Sequence, residues 1–239
     1  MEKVYIITAT VGTPFLSKCV ESVQKQDYVN IEHLLVYDGI DKMKDTLYNY
    51  DNITKIVLPW NTGRDKFICH KIYAAIPHLL HTPGYVMFLD EDNTIQPNHV
   101  SSLVHTLRET GCVWTYALRN IIDHDDTFIC RDMCESLGSL SSTWMNINDF
   151  LIDTSCYLVP IEIMRLFSEC WQRRAREYPE ADRLFYHHLS KEFPNFKCSM
   201  QYTLNYRIEG RSDSVTREFF KIGNEKMLER YKGQLSWNV

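Results

Sequence analysis

At residues 86–93 the chain reads Val86-Met87-Phe88-Leu89-Asp90-Glu91-Asp92-Asn93. The four apolar residues predict a buried strand, and the two aspartates follow where that strand ends. Side chains two positions apart on a strand share a face, so both carboxylates can point at one ion. Oxygen ligands of this kind suit Mg²⁺ or Mn²⁺, which often bridge to phosphate groups. A solvated acidic turn would leave the same pattern, so the rest of the sequence has to decide between the two interpretations.

The composition is that of a globular protein. Of the 239 residues, 44% are hydrophobic and 24% are charged, and the length suits one large domain. We find no internal repeat, low-complexity tract or linker, and therefore expect a single domain over residues 1–239. The formal charge of −5 argues against a dedicated nucleic-acid binder.

The eight cysteines are scattered along the chain. The first residues read as a strand rather than as a signal peptide, and no apolar stretch approaches the length of a membrane-spanning helix. We therefore expect free thiols, a reducing cytoplasmic setting and no transmembrane segment. Cys130 and Cys134 lack a second closely spaced pair, so a zinc site is not expected.

Strands and helices alternate in the first half of the chain. The pattern predicts strands over 4–9, 31–37, 53–58 and 85–89, with helices over 15–26 and 65–80. This alternation indicates an α/β fold with a mostly parallel central sheet flanked by helices. Further on, it predicts helices over 96–110, 160–176, 180–192 and 218–232, strands over 113–118, 151–159 and 202–208, and an irregular segment over 120–150.

The ends of the predicted strands carry the polar residues. Ligands of parallel sheets bind beyond the carboxyl ends of the strands. The residues from Thr8 to Thr10, Asp38, and the pair Asp90 and Asp92 all stand at or near such ends. Three separated motifs therefore converge on one edge of the sheet, which favours the metal site over the acidic turn.

In this order the motifs resemble those of GT-A fold nucleotide-sugar glycosyltransferases of the broad family 2 type. The resemblance covers roughly residues 3–210 and rests on segments 6–10, 22–26, 34–39, 58–63 and 88–92. It implies a single-domain, Rossmann-like GT-A fold. About residues 1–95 would form the nucleotide-binding half and about residues 96–239 the acceptor-binding half.

The resemblance implies a nucleoside pocket. Asp38, which closes the second strand, would contact the nucleobase, and Thr8 and Ala9 at the end of the first strand would lie against the same base. The segment that follows the third strand would supply further base or ribose contacts, namely Asn61, Arg64 and Lys66.

The resemblance also implies a diphosphate site with Mn²⁺ or Mg²⁺. Asp92, the last residue of the Asp-x-Asp motif, would be the main metal ligand. Asp90 would face the ribose or a metal-bound water, and Glu91 would belong to the same nucleotide site. Guanidinium groups suit phosphate oxygens, so Arg207 and Arg211 are candidate diphosphate contacts.

Inverting relatives carry a general base on a later helix, usually the Asp of a Glu-Asp pair. The matching segment here is residues 180–184, in which Asp182 is the expected base and Ala181 replaces the Glu. A carboxylate near the acceptor hydroxyl accelerates its attack. Glu135 and Asp132 are rivals for this role or for binding the acceptor.

We therefore expect a metal-dependent enzyme that moves a sugar from a nucleotide diphosphate-sugar, UDP rather than GDP, to a hydroxyl of a glycan or other acceptor, with inversion. One alternative is a sugar-phosphate nucleotidyltransferase, but residues 10–14 contain one glycine and no basic residue. The second alternative is a non-catalytic carbohydrate-binding domain of the same fold. Retention of the four acids Asp38, Asp90, Asp92 and Asp182 argues against it.

Overall fold

The computed structural model describes residues 1–42, 50–177, 179–209 and 215–238. The strands in these ranges are β1 (Val4–Thr10), β2 (Ile31–Tyr37), β3 (Ile53–Val57), β4 (Tyr85–Phe88), β5 (Thr94–Ile95), β6 (Trp114–Ile122), β7 (Phe128–Arg131), β8 (Tyr157–Pro160) and β9 (Phe196–Arg207). The α-helices are α1 (Leu16–Gln24), α2 (His70–Ala75), α3 (His99–Thr110), α4 (Ile161–Leu166), α5 (Ala181–Glu192) and α6 (Arg217–Arg230).

The described strands form one nine-stranded sheet in the order β3-β2-β1-β4-β8-β6-β9-β5, with β7 paired to β6. The strands β3, β2, β1 and β4 are parallel, as the sequence predicts for the first half of the chain. The second half is mixed, because β8 runs antiparallel to both β4 and β6 while β9 runs parallel to β6. The α/β sheet flanked by helices is thus confirmed, with its parallel part in the N-terminal half.

The order of the parallel strands creates a crevice. The chain passes from β1 to β2 and then to β3 on one side, and returns to place β4 on the other side of β1. The chain thus leaves β1 towards one side of the sheet and β4 towards the other. Open α/β sheets bind ligands beyond the carboxyl ends of the strands at such a point.

Burial in the core accounts for the apolar sequences of the central strands. All seven residues of β1 are buried, because helices cover both faces of a central parallel strand. The buried side of α1 carries Leu16, Cys19, Val20 and Val23 at helical spacing. A second cluster lies under α6, where Phe220 and Met227 pack with Leu118 and Ile121 of β6. This cluster attaches the C-terminal helix to the second half of the sheet.

Several predicted elements differ from those observed. The helix predicted over 65–80 is interrupted: a short 3-10 turn covers Arg64–Lys66, α2 begins only at His70, and a second 3-10 turn covers Ile76–Leu79. The first interruption places Asp65, Lys66 and Ile68 at positive φ angles of 58°, 69° and 47°, which an α-helix does not allow. The second interruption has Pro77 in its first turn, where proline fits because it lacks an N–H group.

The second half of the chain differs in its boundaries. The irregular segment 120–150 contains β7, which forms a hairpin with β6. The predicted strand 151–159 is regular only in β8, and the predicted helix 160–176 ends early with α4. By contrast, β9 is longer than predicted and begins at Phe196. Pairing with β6 along its length organises residues whose sequence lacks a clean alternation.

All eight cysteines are free thiols, as the sequence predicts. Within the described ranges, no helix has the length and apolar character needed to cross a bilayer.

Candidate functional site

A cavity of about 440 Å³ occupies the crevice at the carboxyl ends of β1 and β4. Its volume lies in the range that small ligands and cofactors use. Four chain segments supply its walls: the end of β1 and the following loop, the residue after β2, the segment 61–69, and the residues after β4. Of the predicted site residues, the wall contains Ala9, Asp38, Asn61, Asp90, Glu91 and Asp92.

Asp38 holds one wall of the cavity together. It is 3% exposed, and its Oδ1 accepts hydrogen bonds from the backbone N–H and the hydroxyl of Thr62, at 2.6 and 2.8 Å. Its Oδ2 accepts the backbone N–H of Gly63 at 2.9 Å. A Cβ atom on Gly63 would lie 2.5 Å from the carbonyl oxygen of Ile68, so glycine permits this close approach. Asp38 therefore shapes the segment that follows β3 as well as facing the cavity.

Asp90 and Asp92 both line the cavity, although β4 ends at Phe88 and Asp92 lies in a turn rather than on the strand. The hydroxyl of Tyr73 donates a hydrogen bond to Oδ1 of Asp90 at 2.6 Å. The backbone around Asp92 is fixed by Arg207, whose Nε donates to the Asp92 carbonyl oxygen at 2.8 Å. Two carboxylates on one wall fit Mg²⁺ or Mn²⁺, since such ions are held by one or two carboxylates together with substrate phosphates and water. The described residues contain no cluster of three or more His, Cys, Asp or Glu side chains arranged for a metal ion.

Glu91 holds the loop that follows β1. Its Oε2 accepts the Thr10 hydroxyl at 2.6 Å and the Thr13 N–H at 3.1 Å, and its Oε1 accepts the Val11 N–H at 3.1 Å. The sequence places Glu91 among the nucleotide contacts, and the structure places it on the cavity wall. Its hydrogen bonds show that it also joins the loops after β1 and β4 across the crevice.

We expect Glu91→Ala to destabilise the protein by about 1–3 kcal/mol, because three donors lose a charged acceptor. Urea unfolding would measure this loss. Glu21→Ala is the matched control, because Glu21 is exposed and its carboxylate lies 3.7 Å from Lys25 in an ordinary surface pair. Glu21→Ala should lower the free energy of unfolding by less than about 0.5 kcal/mol. Equal unfolding midpoints for the two variants would contradict the role assigned to Glu91.

Three of the predicted base or ribose contacts do not line the cavity, and neither do the predicted general bases Asp182 and Glu135. Thr8 is fully buried, and its hydroxyl lies 2.9 Å from Nε2 of His33. Arg64 and Lys66 are exposed on the turn after Asn61 and are not among the lining residues. A fourth predicted contact, Arg211, lies outside the described residues.

Arg207, a candidate phosphate contact, is used to organise the loops. It is 4% exposed. Besides Asp92, its guanidinium donates to the carbonyl oxygens of Asp123 and His124, at 2.8 and 3.1 Å, and pairs with Asp126. Its guanidinium carbon lies 4.5 Å from the centre of the Phe15 ring, which lines the cavity. Arg207 therefore contacts two residues of the cavity lining, Asp92 and Phe15.

Asp182 lies in the first turn of α5, as predicted. Its side chain is 28% exposed, and its Oδ1 accepts the N–H of Arg183 at 2.7 Å. Loss of hydration raises the pKa of Asp182 to about 6, although the nearby Arg183 charge opposes the shift. A carboxylate with such a pKa can accept a proton near neutral pH.

Glu135 and Asp132 belong to a buried ionic cluster around Arg119. The pKa of Glu135 is raised to about 7 by burial, although the charge of Arg119 lowers it. Asp132 differs, because it is fully buried and accepts the N–H groups of Cys134, Glu135 and Ser136 at 2.9–3.0 Å. Burial opposes its ionisation, yet Arg119 and these N–H groups keep the pKa of Asp132 below its usual value. Asp132 is therefore an anchor of the loop, and Glu135 is the more suitable proton acceptor of the two.

The sequence interpretation missed several residues of the site. Phe15 and Cys69 line the cavity, Tyr73 binds Asp90, and Arg119 organises the acids of the second half. Arg119 does leave a signal in the sequence, because it is a charged residue in the middle of the apolar strand β6. Buried charges of this kind need partners. The contact between Tyr73 and Asp90 has no such signal, since it joins a helix to a strand end.

Residues 4–158 match the model of the family described as Glycosyl transferase family 2. The chain belongs to this family. No curated protein matches the chain in sequence. Among solved structures, S. aureus TarS 1–349 in complex with UDP-GlcNAc superimposes with a TM-score of 0.59 and 15% identity, covering 96% of this chain and 66% of that chain.

A second TarS 1–349 structure, in complex with UDP, gives a TM-score of 0.60 and 13% identity, covering 96% of this chain and 65% of that one. The family 2 chain thus spans just under two thirds of the length of these TarS chains. At these identities the superposition shows the fold, and it confirms the GT-A fold class that the sequence predicts.

Proposed function

We propose that this family 2 chain is a glycosyltransferase that moves a sugar from a nucleotide diphosphate-sugar to an acceptor hydroxyl, with inversion at the anomeric carbon. The observation that carries the proposal is the cavity at the carboxyl ends of β1 and β4, whose lining includes Asp38, Asp90 and Asp92. UDP is the proposed nucleotide, since the similar TarS structures contain UDP or UDP-GlcNAc. We also propose a cytoplasmic location, which the eight free thiols support.

Different cavity residues would bind different parts of the donor. Asp38, Ala9 and Asn61 would bind the nucleoside, while Asp90 and Asp92 would face the diphosphate. A divalent cation, Mn²⁺ or Mg²⁺, held by Asp92 with Asp90 would neutralise the leaving diphosphate. Arg64, Lys66 and Arg211 stay candidates for contacts with the base, ribose and diphosphate. For Arg64 and Lys66 such a contact requires movement of the turn that carries them.

The proposed reaction is a single in-line displacement. The acceptor oxygen forms a bond to the anomeric carbon as the bond from that carbon to the diphosphate oxygen breaks, and the leaving nucleoside diphosphate takes the electron pair. The proton of the acceptor hydroxyl passes to the carboxylate of Asp182. Glu135 is the second candidate for this base, since its pKa is raised to about 7.

A thermal-shift panel tests the proposed function. We expect UDP and at least one UDP-sugar to raise the melting temperature in the presence of Mn²⁺, because a ligand that binds only the folded state stabilises it by mass action. The shift should shrink when the ion is removed with a chelator. GDP-sugars serve as matched controls. If no nucleotide sugar stabilises the protein with or without Mn²⁺, the non-catalytic alternative is favoured.

Product analysis separates the two enzyme classes. Sugar transfer releases a free nucleoside diphosphate, whereas a nucleotidyltransferase releases pyrophosphate. The loop from Thr10 to Pro14 favours sugar transfer, because Glu91 holds its backbone N–H groups and the loop carries no basic residue for a triphosphate.

A further inference from the structure

Arg119 occupies the centre of an ionic cluster in the second half of the protein. It is 3% exposed, and each of its nitrogens binds a different carboxylate. Nε binds Asp132 at 2.7 Å, Nη1 binds Asp153 at 2.6 Å and Nη2 binds Glu135 at 2.7 Å. One buried cation that faces three carboxylates gives little net stability, because all four charged groups lose hydration. The cluster therefore needs an explanation other than packing.

Two of the three carboxylates fix the position of Arg119. Asp132 is bound by backbone N–H groups of its own loop, as described above. Asp153 accepts the N–H of Ser155 at 2.9 Å, and its own N–H donates to the hydroxyl of Ser136 at 2.7 Å. The guanidinium carbon also lies 4.3 Å from the centre of the Tyr206 ring. The guanidinium group is thus held from several sides.

Glu135 differs from the other two acids. Only its Oε2 binds Arg119, and its side chain is 15% exposed. Its Oε1 has no hydrogen bond to any residue in the described ranges. The backbone of Glu135 is also fixed, since its N–H donates to Asp132 Oδ1 at 2.9 Å. Glu135 is therefore a rigidly held carboxylate with one oxygen left to accept a hydrogen bond.

Hydrogen bonds join the Arg119 cluster to the Asp-x-Asp end of the cavity. Asp153, which binds Arg119, accepts the N–H of Ser155. The hydroxyl of Ser155 accepts the backbone N–H of Asp90 at 3.2 Å. The charge of Arg183, the neighbour of Asp182 in α5, also lowers the pKa of Glu135. The cluster that holds Glu135 is thus joined to Asp90 at the diphosphate end through Ser155, and the charge of Arg183 reaches Glu135 from the base end. In an in-line displacement, the sugar ring that is transferred lies between the leaving group and the base.

We infer that Oε1 of Glu135 accepts a hydrogen bond from a hydroxyl or amide N–H of the transferred sugar, and that Arg119 is the positioning residue that holds it there. This inference rests on the proposed function. It assigns Glu135 to the sugar rather than to proton transfer. A carboxylate is suited to this contact because hydrogen bonds to charged acceptors are about twice as strong as neutral ones.

Calorimetric binding of two ligands to the whole chain tests the inference. The ligands are UDP and UDP-GlcNAc, or the UDP-sugar that stabilises best in the thermal panel, both with Mn²⁺. We expect Glu135→Gln to weaken binding of the UDP-sugar about tenfold and to leave the affinity for UDP within about twofold. Arg119→Lys should show the same selective loss, because lysine keeps the charge but not the fork of donors. Glu162→Gln, on the exposed side of α4, is the matched control.

The outcomes separate the possible roles. Equal weakening of both ligands by Glu135→Gln would overturn the inference in favour of a purely structural role. Unchanged affinity for both ligands with loss of turnover would overturn it in favour of Glu135 as the base. If the unmodified protein binds neither ligand, the proposed function fails and the inference falls with it. If it binds both and the variants do not distinguish them, only the inference fails.

Discussion

Asp92→Asn is expected to lower turnover at least about 10²-fold at saturating donor. The substitution keeps the size of the side chain and removes one negative charge from the cavity wall at the end of β4. Stabilisation of a leaving diphosphate by a bound divalent ion contributes several kcal/mol, and each ~1.4 kcal/mol corresponds to a factor of ten in rate. Steady-state release of nucleoside diphosphate, measured across a Mn²⁺ titration, checks the prediction.

The metal titration makes the Asp92 test specific. A weakened site should need more Mn²⁺ to reach half-maximal activity, whereas a general folding defect should not change that requirement. The hydrogen bond from the Arg207 side chain ends on the backbone carbonyl oxygen of residue 92 and should survive the substitution. Asp27→Asn, at an exposed position, is the control for a change of charge alone. Turnover and Mn²⁺ requirement close to those of the unmodified protein would remove Asp92 from the metal site.

Asp182→Asn is expected to lower turnover by about 10²–10⁴-fold, the range that a general base contributes. The substitution also has a signature in the pH dependence. The base works only when it is ionised, and the pKa of Asp182 is raised to about 6. Turnover of the unmodified protein should therefore be constant above about pH 7 and fall about tenfold per unit below pH 6. In the variant, this acid limb should disappear.

Two further variants separate the role of Asp182 from that of Glu135 and from a change of charge on α5. Glu135→Gln should retain the acid limb near pH 6 if Asp182 is the base, and should lose it if Glu135 is the base. Glu192→Gln lies at the exposed C-terminal end of the same helix and controls for a change of charge on α5. An acid limb that persists unchanged in Asp182→Asn would exclude Asp182 as the proton acceptor.

The first half of the chain was predictable because its signals are local. Central parallel strands are continuous apolar runs, so β1, β2 and β4 can be read directly from the sequence. The polar residue that ends each run marks the carboxyl edge of the sheet. For this reason the sequence alone was enough to place Asp38 and the Asp-x-Asp pair at one shared edge, where the cavity lies.

The interruption of the helix after Gly63 depends on residues that are distant in the sequence. Apolar spacing over 65–80 is helical, yet the backbone at Asp65, Lys66 and Ile68 takes positive φ angles. The carboxylate of Asp38, which follows β2, binds the backbone of Thr62 and Gly63, which precede this segment. A contact between residues more than 20 positions apart thus accompanies the late start of the helix, and no window of sequence contains it.

The α/β sheet with acids at the ends of its parallel strands follows from local sequence, because strand burial and strand ends depend on residues that are adjacent in the chain. The contacts that each acid makes follow from the tertiary structure instead. Asp90 is bound by Tyr73, Glu91 joins two loops, and Glu135 is held by Arg119. These assignments depend on partners brought together by folding: a carboxylate's hydrogen bonds, hydration and pKa are set by its neighbours in space, and the same Asp or Glu can serve as ligand, anchor or base.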